Sequence, residues 1–341
     1  MTKISKISWL FLFLFAVLAV TMVLSLGIGR YPVAYKDVAG VLFSGSYGEP
    51  IDPDDFNRVV VEILRLPRII LVVLVGMGLA LAGAAMQGVF RNPLVGPEIA
   101  GVSAGASFGG VLAILMNWRE EIMVLAAFIF GFGSLTAAFA ISHRSVRGGL
   151  LSLILAGVVM SSFFSALIGL ASYVADPENK LPALIYWLMG SFSAASYERA
   201  ALMAGIMVIS GGGLLGLSWK INLLSLGDSD ASALGIKVDT LRWTVVALVA
   251  LIVAGQVAVS GGIGWVGLVV PHIARMLVGP EHSRLLPVSA LMGGIYLLLM
   301  DDLARSISAF EVPIGLLTSL AGSPAFVYLL LRARKKGWGD Q

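Results

Sequence analysis

Five ionisable residues stand at the margins of long apolar runs, where a charge is costly unless it is paired or used. Arg65 and Arg68 flank Pro67 at the start of one run, and Asp301, Asp302 and Arg305 lie at the close of another. Proline suits the first turn of a helix, where the positive end of the dipole opposes a cation by about 0.3–1 kcal/mol. An anionic partner would remove that conflict. Asp301 and Arg305 are spaced four apart, so one helix face can hold them as an ion pair that orients the arginine. The same aspartates could carry protons in an ion-gradient-driven secondary transporter, but that use requires a place near mid-membrane. Catalysis, as in an intramembrane hydrolase, lacks a candidate. His272 in PHIAR and His282 in PEHSR have no second ligand at a metal-binding spacing, and HExxH is absent. No lysine is followed by serine or threonine, so the chain has no loop of the kind that cradles nucleotide phosphates and magnesium. Any energy from ATP must be supplied by another chain.

The elements that position these residues are membrane helices. Of the 341 residues, 58% are hydrophobic and 13% charged, against about 25% charged in an ordinary soluble domain. Mean hydropathy is +0.93. The apolar runs are continuous rather than alternating, which excludes a β-barrel. Ten windows qualify as spans, at about 9–28, 66–87, 99–116, 122–141, 150–171, 200–219, 243–260, 263–277, 285–303 and 313–331. The first is too long for a signal-peptide core and lacks a small-residue cleavage site, so a retained span is expected. There is no cysteine, which removes disulfides and thiolate ligands.

An even count of spans puts both termini on one side. The segments 1–8, 88–97, 142–149, 220–242, 275–285 and 332 onward contain fourteen of the 23 lysines and arginines, and acidic residues concentrate in the opposite loops. Both termini are therefore expected in the cytoplasm. The pI near 9.2 reflects this orienting excess rather than nucleic-acid binding.

On the expected cytoplasmic side, the stretch INLLSLGDSDASALGIKVDTLRW (221–243) interrupts the apolar pattern. Asp228 can cap a short helix, SDASAL can form it, Gly235 can end it in the left-handed conformation, and Asp239 can cap the next helix. Helices this short are marginal in water, so such a knob needs something to pack against. RNPLVGP (91–97) breaks the chain after the second span, and Asn92 can satisfy backbone groups freed by the break. Gly101, Gly105 and Gly109 make a GxxxGxxxG ridge suited to close helix packing. The fifth span carries Ser152, Met160, Ser161, Ser162 and Ser165 among aliphatic residues.

Three long stretches, 65–109 (RLPRIILVVLVGMGLALAGAAMQGVFRNPLVGPEIAGVSAGASFG), 261–294 (GGIGWVGLVVPHIARMLVGPEHSRLLPVSALMGG) and 301–330 (DDLARSISAFEVPIGLLTSLAGSPAFVYLL), closely resemble the FecCD family, as does LPALIYWLMGS (181–191). These are the permease subunits of ABC importers for iron-siderophores, haem and vitamin B12. The resemblance implies an all-α polytopic membrane protein with the ten-helix B12-permease fold, a single permease domain over 1–341 with a coupling loop at about 220–241. It implies pairing with a second copy, or a close relative, around a central pathway in the cell (inner) membrane, with two cytoplasmic ATPase subunits and an extracytoplasmic binding protein. ATP and magnesium would sit at the ATPase, and no cofactor on this chain. Residue by residue, it implies ATPase coupling through Leu226, Asp228, Ala231, Leu234 and Gly235, supplemented by Arg275, Glu281, His282 and Arg284. Arg65, Arg68 and Arg305 would receive glutamates of the binding protein. The fifth span, with Ser152, Met160, Ser161 and Ser165, would line the pathway, and the Gly148-Gly149 turn would lie near an inner gate. The cargo is not specified by these residues.

Overall fold

The computed structural model describes residues 3–43, 55–144, 150–308 and 310–334, which are helical with no strand among them. In chain order the helices are α1 (Lys3–Gly27), α2 (Tyr35–Phe43), α3 (Phe56–Val89), α4 (Val102–Leu115), α5 (Glu120–Arg144), α6 (Leu150–Val174), α7 (Lys180–Leu188), α8 (Tyr197–Gly216), α9 (Ser218–Leu226), α10 (Asp228–Ala233), α11 (Val238–Ser260), α12 (Val266–Val278), α13 (His282–Ser306) and α14 (Ile314–Arg334). Seven of these, α1, α3, α5, α6, α8, α11 and α13, are long and apolar enough to cross a bilayer, and α4, α12 and α14 are shorter apolar helices. Together they account for the ten expected windows.

The centre of the bundle is α3. It is apolar around its whole circumference, as suits a helix surrounded by others, and 83% of its apolar window is buried. Its closest neighbours are reached through glycine. A Cβ at Gly76 would collide with the Gly293 carbonyl on α13, and one at Gly83 with the Gly267 carbonyl on α12. Lipid tails are as apolar as leucine, so close backbone approach of this kind supplies the packing that draws helices together. On a third side Ile252 of α11 lies against Gly78. Outside this centre, Gly105 and Gly109 of α4 meet the backbone of Phe130 and Ala126 on α5, so the GxxxGxxxG ridge is a packing surface. Helices α1, α5 and α6 bury no more than a third of their apolar windows and turn side chains such as Phe13, Phe15, Ile129, Val158 and Phe163 outward.

One expected boundary differs. The sequence places the second span from residue 66, with Pro67 in its first turn. Instead the helix starts at Phe56, where the Asp55 carboxylate accepts the Arg58 N–H at 3.1 Å. Proline lacks the N–H of a regular helical bond and its ring crowds the carbonyl four residues back. The π-helical segment Val59–Arg65, in which the Leu66 N–H reaches the Val61 carbonyl, widens the turn and relieves that crowding. Arg65 and Arg68 therefore lie well inside the helix, and the dipole argument for an anionic partner does not apply to them.

Candidate functional site

Two polar sites lie at opposite ends of α13, whose 25 residues span about 37 Å at 1.5 Å per residue. The first is the knob. Helix α9 runs into a bend at Gly227, whose φ of +133° turns the chain into α10. Gly235, at φ +82°, ends α10 in the left-handed conformation, with Gly235 N–H donating to Ser232 O at 2.9 Å and Ile236 N–H to Ala231 O at 3.0 Å. Two details differ from expectation. Gly227 occupies the cap position and Asp228 is the first helical residue, its carboxylate drawn away to Arg242 at 2.7 Å and Arg91 at 3.3 Å. Asp239 likewise lies in the first turn of α11 rather than at its cap, which is Lys237.

These pairs fasten the knob to α11 and to the end of α3. A second fastening joins it to α13: Asn222 Oδ1 accepts the His282 backbone N–H at 2.6 Å and lies 2.9 Å from Nδ1, while Asn222 Nδ2 donates to Ser283 Oγ at 3.2 Å. The shared acceptor makes Nδ1 the protonated ring nitrogen. The imidazole edge then presses on Gly88, where a Cβ would collide with Nε2. The expected coupling set is thereby divided. Ala231 and His282 are buried and hold the knob in place, whereas Leu226 and Leu234 are 62% and 59% exposed and Gly235 is also exposed. Glu281 and Arg284 stay at the surface as an i,i+3 pair at 2.9 Å. Arg275 turns toward α3, donating to Gln87 Oε1 at 3.2 Å. After α3, Asn92 accepts the Leu94 N–H at 2.9 Å, as its place in RNPLVGP suggests.

At the other end, Arg65, Arg68 and Arg305 are only 5%, 8% and 8% exposed. Arg68 holds Asp301 with Nη2 at 2.7 Å and Nε at 3.0 Å, and also binds Glu311. The i,i+4 pair between Asp301 and Arg305 is present at 3.2 Å, as a charge contact without hydrogen-bond alignment at Nε. Arg305 further pairs with Asp302 and donates to Ser25 Oγ at 2.8 Å, and Ser25 Oγ donates to Asp302 at 2.6 Å. Arg65 donates to the carbonyls of Leu26 and Tyr31, both at 2.5 Å. Three guanidiniums face three carboxylates, and the network joins α1, α3, α13 and the segment before α14. Ser25 and Glu311 have no spacing signal in the sequence, because their partners are more than 240 residues away.

The expected pathway residues on α6 do not share one face. Ser152 Oγ points at the Ser142 carbonyl on α5 at 3.4 Å, and Met160 is buried beside Gly101. Ser161 is half-buried, while Ser162 and Ser165 are exposed alongside Val158, Val159 and Phe163. Gly148 and Gly149 lie outside the described residues. The string GVSAG at 101–105 spells the GxSxG pattern of hydrolase nucleophiles. Here it follows a 3₁₀ turn rather than a strand, and Gly105 serves helix packing, so the match has no hydrolase context.

The comparisons with known proteins agree with this architecture. A sequence model of the FecCD transport family matches residues 17–332. The molybdate import system permease protein MolB of Haemophilus influenzae is 44% identical over 323 residues, covering 95% of each chain. The hemin transport system permease protein HmuU of Yersinia pestis is 40% identical over 285 residues, covering 81% of this chain and 84% of its own. A metal-chelate-type ABC transporter solved in an inward-facing conformation superposes with a TM-score of 0.85 at 44% identity, covering 95% of this chain and 99% of that one. With a helical bundle of the same form and a family match over nearly its whole length, the chain belongs to the FecCD transport family and is an ABC importer permease subunit.

Proposed function

We propose that this subunit carries a metal-containing cargo, a chelate or a metal oxyanion, as one of two identical permease copies in the cell membrane. An extracytoplasmic binding protein delivers the cargo at the arginine end, and two ATPase subunits engage the knob at the cytoplasmic end, where both termini also lie. The observation that carries this reading is the knob itself: a two-helix bend with Leu226 and Leu234 exposed at its surface and its base fastened to α3, α11 and α13. A rigid base under an apolar tip can transmit a displacement, but a feature of this size cannot enclose a nucleotide. Hydrolysis therefore belongs to the partner ATPase, with its ATP and magnesium. Asp301 and Asp302 lie at a helix end and are held by guanidiniums, which argues against their carrying protons in a gradient-driven mechanism.

Named relatives carry molybdate and hemin, and both chemistries fit the proposal. The test is uptake by proteoliposomes containing the permease, its ATPase and its binding protein, offered molybdate, haem, a ferric siderophore and cobalamin. Accumulation of one of them that requires ATP hydrolysis is expected. Uptake driven by an ion gradient without ATP would contradict the reading.

A further inference from the structure

One carboxylate lies inside the bundle with no cation to hold it. The chain between α3 and α4 re-enters the apolar zone as irregular backbone and closes on the 3₁₀ turn Pro97–Ala100. Two observations give its depth. Pro97 and the Leu79 carbonyl of α3 both lie against Gly267 of α12, and from Leu79 to the knob end of α3 at Val89 is about 15 Å along the helix. The second observation is the length of α4. Its 14 residues cover about 21 Å of the roughly 30 Å of hydrocarbon, and its far end reaches the surface beside Trp118 and Arg119, both exposed. On this turn Glu98 is half-buried. Its carboxylate folds back over Gly96, where a Cβ would collide with Oε2 and would lie 3.3 Å from Leu268 of α12. It accepts its own backbone N–H and has no ion pair among the described residues. The buried acids Glu62, Asp301 and Asp302 each hold a guanidinium instead.

Non-helical backbone at membrane depth is tolerated only where protein buries it or where it lines a water-filled cavity. A carboxylate there without a counter-ion is costly in hydrocarbon and needs water to reach it. Glutamate has too short a stem to carry its charge from this depth to either surface. Nor can the turn swing: Gly101 meets the Gly157 carbonyl and Met160 of α6, and its own carbonyl accepts from Ser134 Oγ of α5 at 2.8 Å. We infer that Glu98 faces the aqueous passage through which the cargo moves, and that its charge gives this stretch a negative potential suited to a cargo face carrying hydrogen-bond donors or positive charge. A bare oxyanion meets repulsion there, so of the two cargo classes proposed above the turn favours the chelate. This rests on the importer reading and narrows it.

The test uses the permease–ATPase complex in nanodiscs and takes advantage of a chain without cysteine. Glu98→Cys and Leu268→Cys are made separately, and each is treated with a cationic trimethylammonium and an anionic sulfonate methanethiosulfonate, reagents that travel through water rather than lipid. Both thiols are expected to react. At Leu268→Cys the cationic reagent is expected to react about tenfold faster than the anionic one, each rate taken relative to free cysteine in solution. Adding Glu98→Gln, which keeps the shape and removes the charge, is expected to bring that ratio to within about twofold. No reaction at Glu98→Cys, with or without ATP, in a complex of normal ATPase content would overturn the inference, because the carboxyl would then be sealed from water. A ratio at Leu268→Cys that ignores Glu98→Gln would overturn the charge assignment. Molybdate uptake by the reconstituted importer that Glu98→Gln does not speed would overturn the cargo preference. Reactive thiols in a complex whose uptake ignores ATP would remove the importer reading and leave the charged passage standing.

Discussion

The two ends of the bundle use charge in opposite ways. At the knob, the ion pairs lie near water, with the Asp228 side chain 48% exposed, and the foremost side chains are leucines. At the arginine end, the Asp301 side chain has no exposure at all and those of Arg68 and Arg305 almost none. An apolar tip on a solvated base suits a surface that packs into another protein from the aqueous side. A buried network that ties α1, α3, α13 and the approach to α14 suits a joint that must stay closed while something touches its outside.

Removing one acid from each end breaks this comparison most strongly. Asp301→Ala leaves Arg68 and Arg305 without their shared carboxylate in burial and is expected to cost about 3–5 kcal/mol. Asp228→Ala, at a half-exposed pair, is expected to cost no more than about 1 kcal/mol. Thermal unfolding of the detergent-solubilised subunit reads both, and equal shifts would show that the ends do not differ in the way their burial says.

A second pair of substitutions tests the rod between the ends. Gly76→Val inserts a side chain where α3 and α13 meet backbone to backbone, with an expected loss of about 1–3 kcal/mol. Gly133→Val on α5 is its control, since a Cβ there meets nothing within 4 Å, and the expected change is within about 0.5 kcal/mol. A silent Gly76→Val would mean that the two helices are not held at this contact.

At the knob base, Asn222→Ala removes the acceptor for both His282 contacts and is expected to cost about 1–2 kcal/mol. Its larger consequence is expected in function: basal ATP turnover by the assembled complex persists, while stimulation by the loaded binding protein falls, because the knob is no longer tied to α13. Full stimulation would show that the tie is dispensable.

Much of this architecture is legible in the sequence because lipid is an undemanding reader: a crossing requires about 20 apolar residues, whatever they pack against. The glycine end of α10 is legible for a similar reason, since a left-handed residue after a short helix is a local requirement met by Gly235. Local patterns mislead where a distant group competes. Asp228 sits in a sequence that favours capping, yet Arg242 and Arg91 take its carboxylate. Pro67 has the look of a helix start, yet a π-helical turn carries the helix through it. Asp301 and Arg305 announce their pair through spacing, whereas Ser25 and Glu311 join the same network only through the fold.

The smallest stability effect carries the greatest functional weight. Leu234→Asp changes a 59% exposed side chain at the knob surface, so folding and membrane insertion are expected to be unaffected, within about 0.5 kcal/mol. The decisive measurement is the amount of ATPase subunit that co-purifies with this variant at normal permease yield, beside the unsubstituted chain. The account predicts that Leu234→Asp loses bound ATPase and, with it, cargo-stimulated ATP turnover. A full complement of ATPase on a correctly inserted Leu234→Asp permease would contradict the claim that the knob is the coupling surface.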